Sequence, residues 1–137
     1  IGAGEERCEF LAVRCVVEVA EHGNPVVAAA AQRLVDRRDA SGLGAAAGLA
    51  LAGKRPVAEL MFADFIGVSL DQIWNQIGKF RYMFGGKTKC PAVIRMAYGA
   101  GFNAAAQHSQ SVHHILSGMP GLKVVMPSTP ADRMPPA

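Results

Sequence analysis

Cysteine is scarce in this sequence: Cys8, Cys15 and Cys90 are the three in 137 residues. They form no CxxC pair and stand at no metal-ligand spacing, so no zinc site is read here. An odd count in a small chain points to reduced thiols in a cytosolic protein, and small buried hydrophobes are the reading that fits them. On a helix, Cys8 and Cys15 would sit two turns apart on one face, too far to bridge. No apolar run is long enough to span a bilayer, since the most apolar stretch, residues 43–53, is short and glycine-rich. Glu5, Glu6 and Arg7 interrupt the start, so no secretory signal is expected there. The first residue is Ile1 and not methionine, so the natural N-terminus is expected to be missing.

A strong charge bias is also lacking. Lys and Arg number 14 against 11 Asp and Glu, for a net charge of +3. The basic residues are scattered, the densest group being Arg33, Arg37 and Arg38, and no basic stripe interleaves with aromatics, so nucleic-acid binding is not expected. Nucleotide and hydrolase signatures are missing as well. Gly2-Ala3-Gly4 opens like a dinucleotide fingerprint, but Arg7 occupies the third glycine position and no strand precedes it. There is no phosphate-binding GxxxxGK[ST] loop and no GxSxG elbow, and Ser109 directly after His108 does not make a triad.

What remains has the composition of an ordinary globular domain: 50% hydrophobic, 18% charged, and long enough for one real core. Residues 6–22 show a mixed apolar pattern in which the β-branched run weakens a helix. Gly23-Asn24-Pro25 is a turn signal, and the alanine-rich residues 26–35 read as helical. Residues 36–39 read as a polar loop. The small-residue stretch 42–52 reads as a helix. Each interior glycine costs it ~1 kcal/mol relative to alanine, so its three glycines point to close packing, with Gly53 as C-cap. Residues 57–61 follow as a short strand opened by Pro56. Residues 65–84 show the clearest helical spacing, with Leu70, Ile73, Ile77, Phe80 and Met83 or Phe84 on one face and Gly85-Gly86 as the stop. Residues 91–96 and 122–126 read as two more strands, separated by a Gly/Ala-rich loop (97–109) and a short helix at 110–116. Strands alternating with helices predict an α/β fold with a parallel sheet.

Four words stand out: GKRPVAELMFADF, DQIWNQIGKFRYMFGG, AAAQHSQS and PGLKVVMPSTP. In wording, order and spacing they resemble the β subunits of pyruvate, branched-chain 2-oxo acid and acetoin dehydrogenases, densely from about Gly42 to Pro130. RYMFGG leans toward the pyruvate or acetoin type. The resemblance implies a three-layer α/β fold, a parallel sheet with flanking helices, of the transketolase-like pyrimidine-binding type and incomplete here. It divides the chain into a divergent N-terminal part of the domain (1–41), the pyrimidine-binding domain (42–130) and a truncated tail (131–137). The family's Gly-Glu-Asp-Val word is not found among residues 1–35. Family members continue into a second α/β domain, so the chain is expected to be a fragment, a truncated gene product or a decayed paralogue.

The cofactor implied is thiamine diphosphate. This domain would hold its aminopyrimidine half, while an α subunit holds the diphosphate and Mg²⁺ through a GDG-containing motif. No GDG occurs here, as a β-type chain should show. Position by position, Asp39 falls where the family has the glutamate that hydrogen-bonds the pyrimidine ring and promotes its imino tautomer. Asp39 is one methylene shorter and follows the foreign Arg38, and by residue type alone it also reads as a solvated loop aspartate. Met61 and Phe65 match the residues that pack on the ring, and an aromatic and a thioether suit a flat heteroaromatic group, although both would otherwise read as core. Glu59 is assigned a supporting role on the same strand. His108 matches the active-site histidine, able to shuttle protons or stabilise an oxyanion on the substrate adduct. His113 and His114 lie beyond the motif and read as surface or interface residues.

No residue is read as a metal ligand. The implied partners are the α subunit, a second β subunit and the lipoyl-bearing acyltransferase, in the cytoplasm or a mitochondrial matrix, with no membrane. The implied reaction is decarboxylation or carbon–carbon cleavage, then reductive acylation of a lipoyl group. The rival reading is a non-catalytic interaction module of the same family, which Asp39 and the missing second domain favour. Transketolase or a related synthase would share the domain but not AAQHSQS.

Overall fold

The computed structural model describes residues 14–19, 32–34, 40–101 and 103–127. Among the described residues five strands form one sheet in the order β2-β3-β4-β1-β5: β1 (Arg14–Val19), β2 (Gln32–Leu34), β3 (Pro56–Phe62), β4 (Val93–Ala97) and β5 (Leu122–Val125). β2, β3 and β4 run parallel. β1 lies antiparallel between β4 and β5, so β5 points the same way as β4. The three strands expected at 57–61, 91–96 and 122–126 are therefore present and co-directional, and β1 is the antiparallel member that residues 6–22 did not announce. Cys15 lies on this strand, not on a helical face. The helix expected over 26–35 is corrected at 32–34, where pairing with β3 takes precedence over alanine-rich propensity. The rest of that stretch, like Cys8, lies outside the described residues.

β3 alternates as a strand with one buried face should, with Pro56, Ala58 and Leu60 inward. On β4 the inward residues are Ile94 and Met96. Helix α1 (Ala40–Leu51) closes over this face with Leu43, Ala46, Ala47 and Ala50, all nearly solvent-free. Alanines at the contact let the helix axis approach the sheet closely. Gly44 adds a close approach of its own, since a Cβ there would lie 3.3 Å from Gln72, whereas Gly48 has open space around it. Gly53 ends the helix as expected. At φ +80° it lets its own N–H reach Ala50 O (3.0 Å) and that of Lys54 reach Leu49 O (2.9 Å), the paired bonds of a Schellman cap.

The helix expected over 65–84 is a succession of forms: a 3₁₀ turn (Ala63–Phe65), α2 (Ile66–Asp71), a π segment (Gln72–Ile77) and α3 (Phe80–Met83). The π segment ends with Gly78 N–H donating to Ile73 O (2.9 Å). Ile66, Ile73 and Ile77 are fully buried and Leu70 and Phe80 partly so, but Met83 and Phe84 stand exposed, so the apolar stripe stops at Phe80. The last helix among the described residues, α4, is His114–Ser117, shorter and later than the 110–116 expected, and Leu116 and Met119 plug the same core. The opposite face of β3 and β4 carries Val57, Glu59, Val93 and Arg95, all half-buried. The inward face of β3 and β4 is thus covered. No helix among the described residues is long and apolar enough to cross a membrane.

Candidate active site

The C-terminal ends of adjacent parallel strands are where open α/β sheets present ligand-binding groups. Here the end of β3 delivers Met61 and Phe62, the 3₁₀ turn after it delivers Asp64 and Phe65, and the loop after β4 delivers His108. Pairing slips at this point: Leu60 is opposite Met96, but Phe62 is opposite Ala97. Such irregularities re-aim side chains at strand ends. Met61 is 38% exposed, and Phe65 is half-buried against the core.

Three rings meet beside them. His108 stacks on Phe62 with centroids 4.5 Å apart and planes 8° from parallel. It meets Phe65 edge-on at 5.4 Å, and Phe62 and Phe65 make an edge contact at 6.1 Å. Two residues expected to be functional, His108 and Phe65, are thereby brought together across a long separation in sequence. Phe62 is a partner that reading by residue type had not singled out. The sequence carried no signal for it, because Phe62 stands in extended backbone (φ −131°, ψ 145°) before a 3₁₀ turn that no local pattern announced.

His108 sits at the end of a 3₁₀ turn (Ala106–His108) whose entry is strained: Ala105 has φ 63° and ψ 180°, a region essentially reserved for glycine. Ser109 Oγ donates to Ala105 O (2.8 Å), which closes the turn. His108 Nδ1 lies 2.7 Å from Gln107 O. A carbonyl oxygen can only accept, so Nδ1 carries the hydrogen and Nε2 is the nitrogen available for proton exchange. Gln110, two residues on, donates from its side chain (2.7 Å) and its backbone N–H (3.3 Å) to Asp64 Oδ1.

Glu59 is engaged elsewhere. Arg95 Nε donates to its Oε2 at 2.9 Å and Arg95 Nη2 contacts the same oxygen, across the β3–β4 pair. Both side chains are about a third exposed, so the pair adds at most ~1 kcal/mol, and its main effect is to tie the two strands together just below Met61. Asp39 lies outside the described residues, immediately before the first residue of α1. Of the histidines beyond the motif, His114 is exposed and His113 is half-buried with its ring 5.2 Å from Tyr98. Among the described residues no three His, Cys, Asp or Glu side chains gather where they could hold a metal ion.

Residues 39–134 match the sequence profile described as "Transketolase, pyrimidine binding domain". The chain belongs to that family. It is 63% identical over 90 residues to the acetoin:2,6-dichlorophenolindophenol oxidoreductase subunit beta of Cupriavidus necator, covering 66% of this chain and 27% of the relative. The protein of the same description from Bacillus subtilis is 57% identical over 94 residues, 69% of this chain and 28% of the relative. The 2-oxoisovalerate dehydrogenase subunit beta of B. subtilis is 48% identical over 89 residues, 65% and 27% respectively. The chain thus spans about a quarter of the length of the curated relatives it matches.

The residue types at this strand end fit the cofactor implied for such a domain: Phe65 is aromatic, Met61 offers an exposed thioether, and His108 borders Phe65, as a flat heteroaromatic ring bearing polar edges requires.

Proposed function

We propose that this chain forms the pyrimidine-side wall of a thiamine-diphosphate site in the β subunit of an acetoin- or pyruvate-type 2-oxo acid dehydrogenase. The observation that carries the reading is the meeting of His108 with Phe65 at the C-terminal ends of β3 and β4. The activities for which the relatives are named favour acetoin or a 2-oxo acid as substrate class. Thiamine diphosphate, when bound, supplies a nucleophilic carbon and an electron sink for breaking a bond beside a carbonyl.

The chain's own residues orient and move protons. Met61 and Phe65 pack on the pyrimidine ring, and Glu59, through Arg95, steadies the strand that carries Met61. His108 gives or takes a proton at Nε2, or hydrogen-bonds a developing oxyanion there, because its Nδ1 hydrogen is committed to Gln107 O. Asp39 is the acid assigned to the ring nitrogen. Residues 42–130 carry this wall. An α subunit completes the site by holding the diphosphate and Mg²⁺, a second β subunit completes the assembly, and a lipoyl-bearing acyltransferase accepts the acyl group. The cytoplasm, or a mitochondrial matrix, is the compartment this reading implies.

The test is reconstitution with an α subunit of this enzyme class, with thiamine diphosphate binding followed by calorimetry. The complex should bind the cofactor, and a Met61→Ala/Phe65→Ala variant should bind it about tenfold or more weakly, the equivalent of ~1.4 kcal/mol. The chain alone should neither decarboxylate pyruvate nor cleave acetoin. Turnover by the isolated chain, or unchanged binding in a folded double variant, would contradict the reading.

A further inference from the structure

His108 comes from a loop, and the loop alone does not define where its ring lies. Between Tyr98 and His113 the backbone turns left-handed at Asn103 (φ 54°) and Ala105 (φ 63°). The strain at Ala105 costs of order 1–3 kcal/mol and persists only where surrounding contacts impose it. Those contacts converge on Gln110. Its carbonyl accepts the Gly99 N–H (3.1 Å) at the end of β4. Its backbone N–H (3.3 Å) and side-chain amide (2.7 Å) both donate to Asp64 Oδ1. Asp64 lies within the 3₁₀ turn whose flanking rings, Phe62 and Phe65, are the two that His108 touches. One carboxylate oxygen thus joins the loop to the turn that provides the histidine's two aromatic neighbours. The other oxygen, Oδ2, is buried and accepts no hydrogen bond among the described residues. A buried acceptor left unmade costs ~1–3 kcal/mol, so stability alone is a poor reason for an acid at this position.

We propose that Asp64 is a positioning residue for His108: through Gln110 it docks the His108 loop onto the turn bearing Phe62 and Phe65. This rests on the functional reading of His108 for its consequence in catalysis, but not for its geometry. Asn at position 64 keeps an oxygen for both Gln110 donors and should preserve the docking. Ala removes it.

The geometry is tested by NMR on the full chain, with the His108 ring signals identified by loss in His108→Gln. Stacking on Phe62 should displace those signals upfield through the ring current. Asp64→Ala should abolish the displacement, Asp64→Asn should retain it, and Gln110→Ala, a change at an exposed residue, should reduce it and serves if Asp64→Ala does not fold. In the enzyme complemented with its α subunit, Asp64→Ala should lower kcat by roughly 10²-fold with KM little changed, as a displacement of ~1 Å can do, and Asp64→Asn should restore it. An undisturbed His108 signal in the Ala variants, or an Asn variant that behaves as Ala, overturns the proposal. Loss of the displacement in Asp64→Ala with full activity leaves the docking role standing and removes His108 from the chemistry.

Discussion

Replacing Gly121 with alanine would put a methyl group 2.2 Å from the carbonyl oxygen of Gly78. Gly121 sits in the turn before β5, at φ +86°, pressed against the end of the π segment, and the obstructing atom is backbone that cannot swing away. Two penalties combine. An L-residue held in the left-handed region costs ~1–2 kcal/mol, and forcing a methyl group into a packed contact costs a further ~1–3 kcal/mol. Gly53 supplies the control. It has nearly the same conformation, φ +80°, but a Cβ there meets nothing within 4 Å. Gly53→Ala therefore pays the conformational penalty alone, and the gain from a stiffer unfolded chain is the same in both variants and cancels in the comparison. Urea unfolding followed by circular dichroism should find Gly121→Ala less stable than Gly53→Ala by about 1–3 kcal/mol. Equal stabilities would refute the view that the π segment and the β5 turn are locked by contact between Gly78 and Gly121.

Two further outcomes are expected. Ile77→Ala should lower stability by ~2–5 kcal/mol in the same assay, because the side chain is 1% exposed in the shared core; a neutral variant would mean that the helix presents another face. In the enzyme complemented with an α subunit, Asp39→Glu should raise activity and Asp39→Ala should abolish it, and steady-state rates unchanged in both would return Asp39 to the solvent.

The strands were legible where local signals agreed. Alternation along Val57–Ala58–Glu59–Leu60, with Pro56 at the start, marks a strand with one buried face, and that is how β3 sits. β1 was not legible. Val16, Val17 and Val19 keep no clean period of two or of 3.6, and what makes them a strand is long-range pairing with β4 and β5. Gln32–Leu34, at the end of the alanine-rich stretch 26–35, shows the opposite failure: pairing with β3 is a long-range contact that no window of local propensity contains. The stripe Leu70, Ile73, Ile77 and Phe80 correctly identified the buried face, but spacings of three and four cannot distinguish an α-helix from one with a π turn.

The site was legible to the extent that chemistry is written in residue type. A histidine, an aromatic and a thioether can be selected as candidates from sequence words, but their mutual contacts cannot. Glu59 and Asp64 illustrate the difference. Both are acids near the end of β3, and by type alone Glu59 is as good a helper for the site as Asp64. The fold separates them. In the parallel register Glu59 faces Arg95, so its carboxylate is occupied by the neighbouring strand. Asp64, beyond the strand end, has no residue opposite it in the sheet, and its carboxylate takes two donors from the loop carrying His108. The strand-end irregularity at Met61 and the 3₁₀ turn after it carry the chain out of the ladder just where Asp64 can face that loop. An acid inside the ladder answers to its strand partner, and one just past it is free to organise a loop. The position of the strand end, which no residue count in this sequence defines, therefore decides which of the two acids serves the site.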